Sequence, residues 1–256
     1  MKNKFWGNVH PAVAAVWAAV LAAGHIFPTI PILGTGGSFS LTSALSPLSG
    51  IFFGPVAGAL CSAVGGCIGS LIAPHTAWAG VGTFIIGTTT AFTSGCIAWG
   101  KWPPVAVDGR GSLVINGAII VYITGTILWF TQEIGREVFM MPVVLYGLGF
   151  VVMIIGIIFA RRLLSGSSRI LKFPAIWICA FGGLIGGATV GNFLTLVLFR
   201  LPENVWSALI IAAPIERAIF AAGAMLIGSP LLAGLNKIGV PAGPQAHEGE
   251  ETADER

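Results

Sequence analysis

Charged and amide side chains are scarce in this chain, and the few that interrupt its apolar runs are the ones able to do chemistry. Glu216 and Arg217 stand side by side in IIAAPIERAIFAAG, and Asn192 and Thr195 in GGATVGNFLTLVLF. Inside a bilayer such groups are costly, so each marks a binding site, proton relay or ion path by default. Gln132, Glu133, Arg136 and Glu137 follow the apolar run that ends at Trp129 and Phe130. The candidate substrate-binding set is therefore Trp129, Glu133, Arg136, Asn192, Glu216 and Arg217. Neighbouring helix positions do not face each other, so Glu216 and Arg217 are expected to find partners other than one another.

Each of these residues also has a plainer reading. Glu216 could be protonated on a backbone carbonyl, and Arg217 could snorkel to a lipid phosphate. The charges at 132–137 could be solvated surface. Trp17 and Trp129 are more often packing residues than ligand-stacking ones. His25 and His75 would need a third ligand to hold a metal, and none is identifiable. Hydrogen-bonded histidines are the preferred reading, with no metal and no cofactor expected. No HExxH, GxSxG or Walker sequence occurs, so nothing here would hydrolyse ATP and no enzyme class is indicated.

The elements that position these residues must lie in a membrane. The 256 residues are 55% hydrophobic and 9% charged, with mean hydropathy +0.89. A soluble domain carries about 25% charged residues. The net charge of +3 forms no basic stripe, so nucleic acid is not an expected partner, whereas membrane lipid is. Cys61, Cys67, Cys96 and Cys179 all sit in apolar runs without CxxC spacing, which reads as buried packing thiols. Lys2 and Lys4 precede an Ala-rich run, but that run outlasts a signal peptide's apolar region and reads as a first span.

Eight apolar segments follow one another, roughly 10–28, 40–53, 55–73, 80–99, 113–131, 142–160, 174–199 and 205–234. With the N-terminus inside, the inner segments hold nine basic residues: Lys2, Lys4, Lys101, Arg110, Arg161, Arg162, Arg169, Lys172 and Lys237. The outer loops hold two, Arg136 and Arg200. That asymmetry predicts an all-α, polytopic bundle of about eight transmembrane helices with both termini cytoplasmic, in the cell membrane. Residues 1–238 form one transmembrane domain, and 239–256, ending EGEETADER, read as a disordered acidic cytoplasmic tail. On this map the polar residues gather in the outer half and the inner half holds little beyond Asn116. A capture protein with an outward cavity fits better than a channel, which needs a polar path throughout.

PLSGIFFGPVAGALCSAVGGCIGSLIAP, residues 47–74, is the organising stretch. Gly54-Pro55 should end one helix near Phe53 and start another at Pro55. Small residues then recur every fourth position, at Gly54, Gly58, Ser62, Gly66 and Ser70, so that another backbone can approach closely. Gly183, Gly187 and Gly191 repeat the device in the seventh segment. Independent selection for close packing is the preferred account, with an internal duplication as the alternative. Residues 28–40, PTIPILGTGGSFS, are apolar and Gly-rich and are expected to be an irregular, mobile cap over the substrate.

Three features resemble the S component, the substrate-capture subunit, of energy-coupling factor (ECF) vitamin transporters. They are SPLSGIFFGPVAGALCSAVGGCIGSL, the first helix AVAAVWAAVLAAG with its alanine ladders, and GGLIGGATVGNF followed by a Pro- and Glu-bearing last span. The resemblance covers about 10–100 and, more loosely, 175–234. It implies a six-helix core, and makes 113–160 a two-helix addition. Ser70 stands where that family often has an acidic residue. The ladders are Ala14, Ala18, Ala22 and Ala15, Ala19, Ala23. The resemblance further implies that an alanine motif here docks against a coupling subunit that works with ATPases, and the Ala14, Ala18 and Ala22 face, with Ala15 and Ala19, is the expected docking surface. The function expected is capture of a small vitamin-like molecule from outside. The alternatives are a self-sufficient secondary transporter using Glu216 as its ion site, or an intramembrane lipid-modifying enzyme.

Overall fold

The computed structural model describes residues 10–32, 36–100, 116–166, 168–240 and 242–244. The first helix, α1, spans Pro11–Gly24. Two short strands follow, β1 (Pro28–Pro31) and β2 (Ser38–Ser40), then α2 (Thr42–Phe53) and α3 (Pro55–Ile72). After two single-turn 3₁₀ segments come α4 (Thr83–Trp99), α5 (Gly117–Thr131) and the five-residue α6 (Glu133–Glu137). Three long helices complete the chain: α7 (Met140–Ser165), α8 (Arg169–Phe199) and α9 (Glu203–Lys237). Each of the eight apolar segments thus contains one helix. Four of these, α3, α7, α8 and α9, are long and apolar enough to cross a membrane. The protein is an all-α, multi-pass membrane helix bundle.

The break between α2 and α3 is made by Gly54, whose φ of +88° is a conformation other residues rarely adopt, with Pro55 opening the next helix. The small-residue ladders meet around α4, which packs between α3 and α8. A side chain at Gly66 would meet Phe84 at 3.2 Å, and one at Gly183 would meet Ser94 at 2.6 Å. α3 carries a second stripe that the four-residue ladder does not include. Gly65 abuts the Ala18 carbonyl and Leu21 of α1, and Gly69 abuts His25. Both faces of α3 are therefore packing faces, because without a hydrophobic drive between helices in lipid, close contact must hold them together. Asn116 is structural: its Oδ1 accepts from Ala118 N–H at the start of α5, and its Nδ2 donates to the Cys96 and Gly100 carbonyls ending α4.

Several expectations are corrected. Residues 28–40 were expected to be irregular, but β1 and β2 pair as an antiparallel hairpin, with 33–35 outside the described residues. Cys67 is exposed, while the other three cysteines are buried. The tail does not leave the protein at Gly239: Ala242 is fully buried and Gly243 N–H donates to the Phe52 carbonyl at 2.8 Å. That carbonyl lies in the last turn of α2, where no further helical residue can reach it. Residues 245–256, most of the expected acidic tail, lie outside the described residues.

Candidate functional site

One cavity lies beneath the hairpin, at that end of the bundle. Ile32, Phe39 and Ser40 roof it, and its walls come from α2, α3, α4, α8 and α9. α9 contributes Trp206, Leu209, Ala213, Glu216 and Arg217, spaced so that they share one helix face. α8 contributes Leu184, Ala188, Gly191, Asn192 and Thr195 on the same principle. The opposite wall is hydroxylic, with Thr42, Ser43 and Ser46 of α2, Ser62 of α3, and Thr83 and Thr90 of α4. Ser62 Oγ donates to Ser46 Oγ at 3.4 Å across that wall. The free volume is about 110 Å³.

Asn192, Glu216 and Arg217 are brought together here. Asn192 Nδ2 donates to the Tyr146 hydroxyl of α7 at 3.2 Å, which fixes the amide. Glu216 and Arg217 do face each other, contrary to expectation, but loosely: Arg217 Nη1 lies 3.9 Å from Glu216 Oε2. Their Cα–Cβ bonds diverge along the helix, and only their long side chains bring the charges near each other. The Arg217 guanidinium lies over the Phe39 ring, 4.7 Å from its centroid. Phe39 in turn meets Phe220 edge-on at 5.3 Å. The hairpin is thus fastened to α9 through one aromatic ring.

Trp129, Glu133 and Arg136 do not line the cavity. Trp129 is fully buried, its Nε1 donates to the Gly135 carbonyl at 2.7 Å, and its ring meets Trp206 edge-on at 4.9 Å. It is a packing residue that folds α6 back over the end of α5, and this turns Glu133 and Arg136 outward to the exposed surface. Trp17 packs likewise, donating to Ser49 Oγ at 2.7 Å between Phe52 and Phe53. His25 is buried at the cavity edge, its Nδ1 3.4 Å from Thr76 Oγ1, while His75 is exposed outside it. Among the described residues no three His, Cys, Asp or Glu side chains are grouped to hold a metal.

The first-helix ladders separate. Ala18 and Ala22 are buried and Ala14 is half-buried, because this face packs on Gly65 and its neighbours in α3. Ala15, Ala19 and Ala23 are exposed. The expectation that the Ala14, Ala18 and Ala22 face is a docking surface is corrected: that face packs inside the bundle, and only the second ladder is exposed. The residues that sequence reasoning missed are the hydroxyls of α2, α3 and α4, along with Phe39 and Trp206. Ser62 was legible only as a ladder residue. The spacing of Thr83, Gly87 and Thr90 marks one face of α4 but does not say what that face meets.

A family model described as the ECF-type riboflavin transporter, S component, matches residues 9–144. The match runs from the start of α1 into the first turns of α7, so it includes part of the 113–160 region for which the sequence showed no counterpart. No curated protein and no solved structure matches the chain. With just over half of its 256 residues matched, and a cavity capped between its first two helices, the chain belongs to the ECF-type riboflavin transporter S-component family.

Proposed function

We propose that this S component captures riboflavin, or a close flavin relative, from outside the cell and presents it to a separate coupling subunit and ATPases. The observation that carries the reading is the cavity beneath the hairpin, apolar on most sides, with Asn192, Glu216 and Arg217 converging on it. A few polar groups in an apolar concavity make the usual small-molecule site. The matching family's description supplies the ligand. At about 110 Å³ the cavity is smaller than the roughly 300–1,000 Å³ of typical ligand sites, so the hairpin lifts and the walls part to admit a flavin.

Eight spans with both termini cytoplasmic put the hairpin outside, which makes the cavity outward-facing. The nine-to-two distribution of basic residues supports this orientation. The exposed Ala15, Ala19 and Ala23 face of α1 suits close approach by a partner helix. Titrating the purified full-length protein with riboflavin should quench flavin fluorescence to a sharp one-to-one endpoint. Absence of quenching, with another small molecule found by mass spectrometry of the purified protein, would replace the ligand. For orientation, Glu133→Cys in a background without native cysteines should react with an impermeant reagent from outside. Ser168→Cys should react only after permeabilisation, and labelling of both from the same side would overturn the map.

A further inference from the structure

Glu216 and Arg217 offer a cavity ligand an acceptor and a donor side by side. Their charged atoms are 3.9 Å apart, beyond hydrogen-bond length, so neither closes on the other. Among the described residues neither side chain has a hydrogen bond, although they are only 13% and 12% exposed. Burial at that level normally demands partners. Packing on Phe39 holds the guanidinium where it is.

We propose that this pair reads a cis-amide edge, the N–H beside C=O of a lactam or imide ring, in a neutral heterocycle. The Glu216 carboxylate accepts the ring N–H, and the Arg217 guanidinium donates to the adjacent carbonyl. Amide N and O atoms lie about 2.3 Å apart. Two slightly splayed hydrogen bonds from that edge reach partners at the spacing seen here. The two formal charges cancel, so a neutral ligand enters without carrying an uncompensated charge into the bundle, whereas an anion would meet Glu216. Trp206 lines the same cavity. Trp206 Nε1 is buried with no partner among the described residues, 11 positions before Arg217 and so about 16 Å along α9. The ligand is accordingly elongated, with its ring edge at Glu216 and Arg217 and an acceptor group near Trp206.

This rests on the capture role proposed above but not on flavin being the cargo, and the test separates the two. The affinities of wild-type protein are compared for riboflavin against 3-methylriboflavin, and for lumazine against 3-methyllumazine. Methylation removes the imide N–H and should weaken binding about ten-fold or more, the scale of a charged hydrogen bond. Glu216→Ala removes the acceptor together with the bulk beside it and should bring the ratio towards one, and a methyl penalty that persists in that variant overturns the proposal. If the variant does not fold, the carbonyl stretch of bound ligand in wild-type protein decides: a downshift on binding supports donation by Arg217, and an unshifted band overturns it. Equal affinity for riboflavin and its methyl derivative refutes the amide reading while leaving flavin capture standing. Methyl-sensitive binding of lumazine without binding of riboflavin supports the amide reading and refutes flavin as cargo. Binding of neither parent compound refutes the proposal.

Discussion

Phe39 is where closure of the cavity can be perturbed while every polar side chain is kept. Its ring lies 4.7 Å from the Arg217 guanidinium and edge-on to Phe220 at 5.3 Å, and both partners are on α9. A cation over an aromatic face contributes about 0.5–2 kcal/mol. An edge-to-face aromatic pair contributes about 0.5–1.5 kcal/mol. Phe39→Ala removes both and should weaken the closed hairpin by about 1–3.5 kcal/mol, the upper figure being a ceiling because one ring serves both contacts. At about 1.4 kcal/mol per decade, ligand escape should accelerate from about five-fold to a few hundred-fold. Association should change little, since affinity changes within one site fall mainly on the off-rate. Stopped-flow release of bound riboflavin from detergent-purified protein reads this directly. An unchanged off-rate in folded Phe39→Ala protein would refute the argument that this ring fastens the hairpin.

The alanine ladders should respond oppositely to bulk. Ala18→Trp should reduce the yield of folded protein by size-exclusion chromatography, because Ala18 is buried against α3. Ala19→Trp should abolish cellular uptake while riboflavin affinity stays within about two-fold. Trp129→Phe leaves the Gly135 carbonyl without its donor and should cost about 1–3 kcal/mol of stability in denaturant unfolding, with riboflavin affinity unchanged. Gly50→Ala should fail to yield folded protein, since its methyl group would run into the Ala91 backbone carbonyl of α4, which cannot yield as a side chain can.

The path of the chain was largely legible, because lipid imposes few solutions. Apolar runs without charge must be helices, since no water is present to satisfy an open backbone, so eight runs became eight helices. The Gly54-Pro55 break was readable for a local reason: Gly alone tolerates that φ, and Pro suits a first turn. That Asn192, Glu216 and Arg217 are costly to bury was legible too, and the structure brings all three to one cavity. Trp129, Glu133 and Arg136 misled because a short helix can turn either face to the bundle, and only the Trp129 to Gly135 hydrogen bond decides which.

What the sequence by itself determined is thus the class of molecule, the order of its helices and which polar residues are costly to bury, all of which follow from transfer energies and local backbone preference. The tertiary structure alone decided which side of each helix meets another. A small residue every fourth position says that something comes close, but not what. The two alanine ladders of α1 differ by one position and about 100° of rotation, and only packing on Gly65 buries one and frees the other. The hydroxyl wall has the same origin: serine and threonine are cheap anywhere in a helical bundle, so their convergence under Phe39 is a property of helix rotation and crossing rather than of any local pattern.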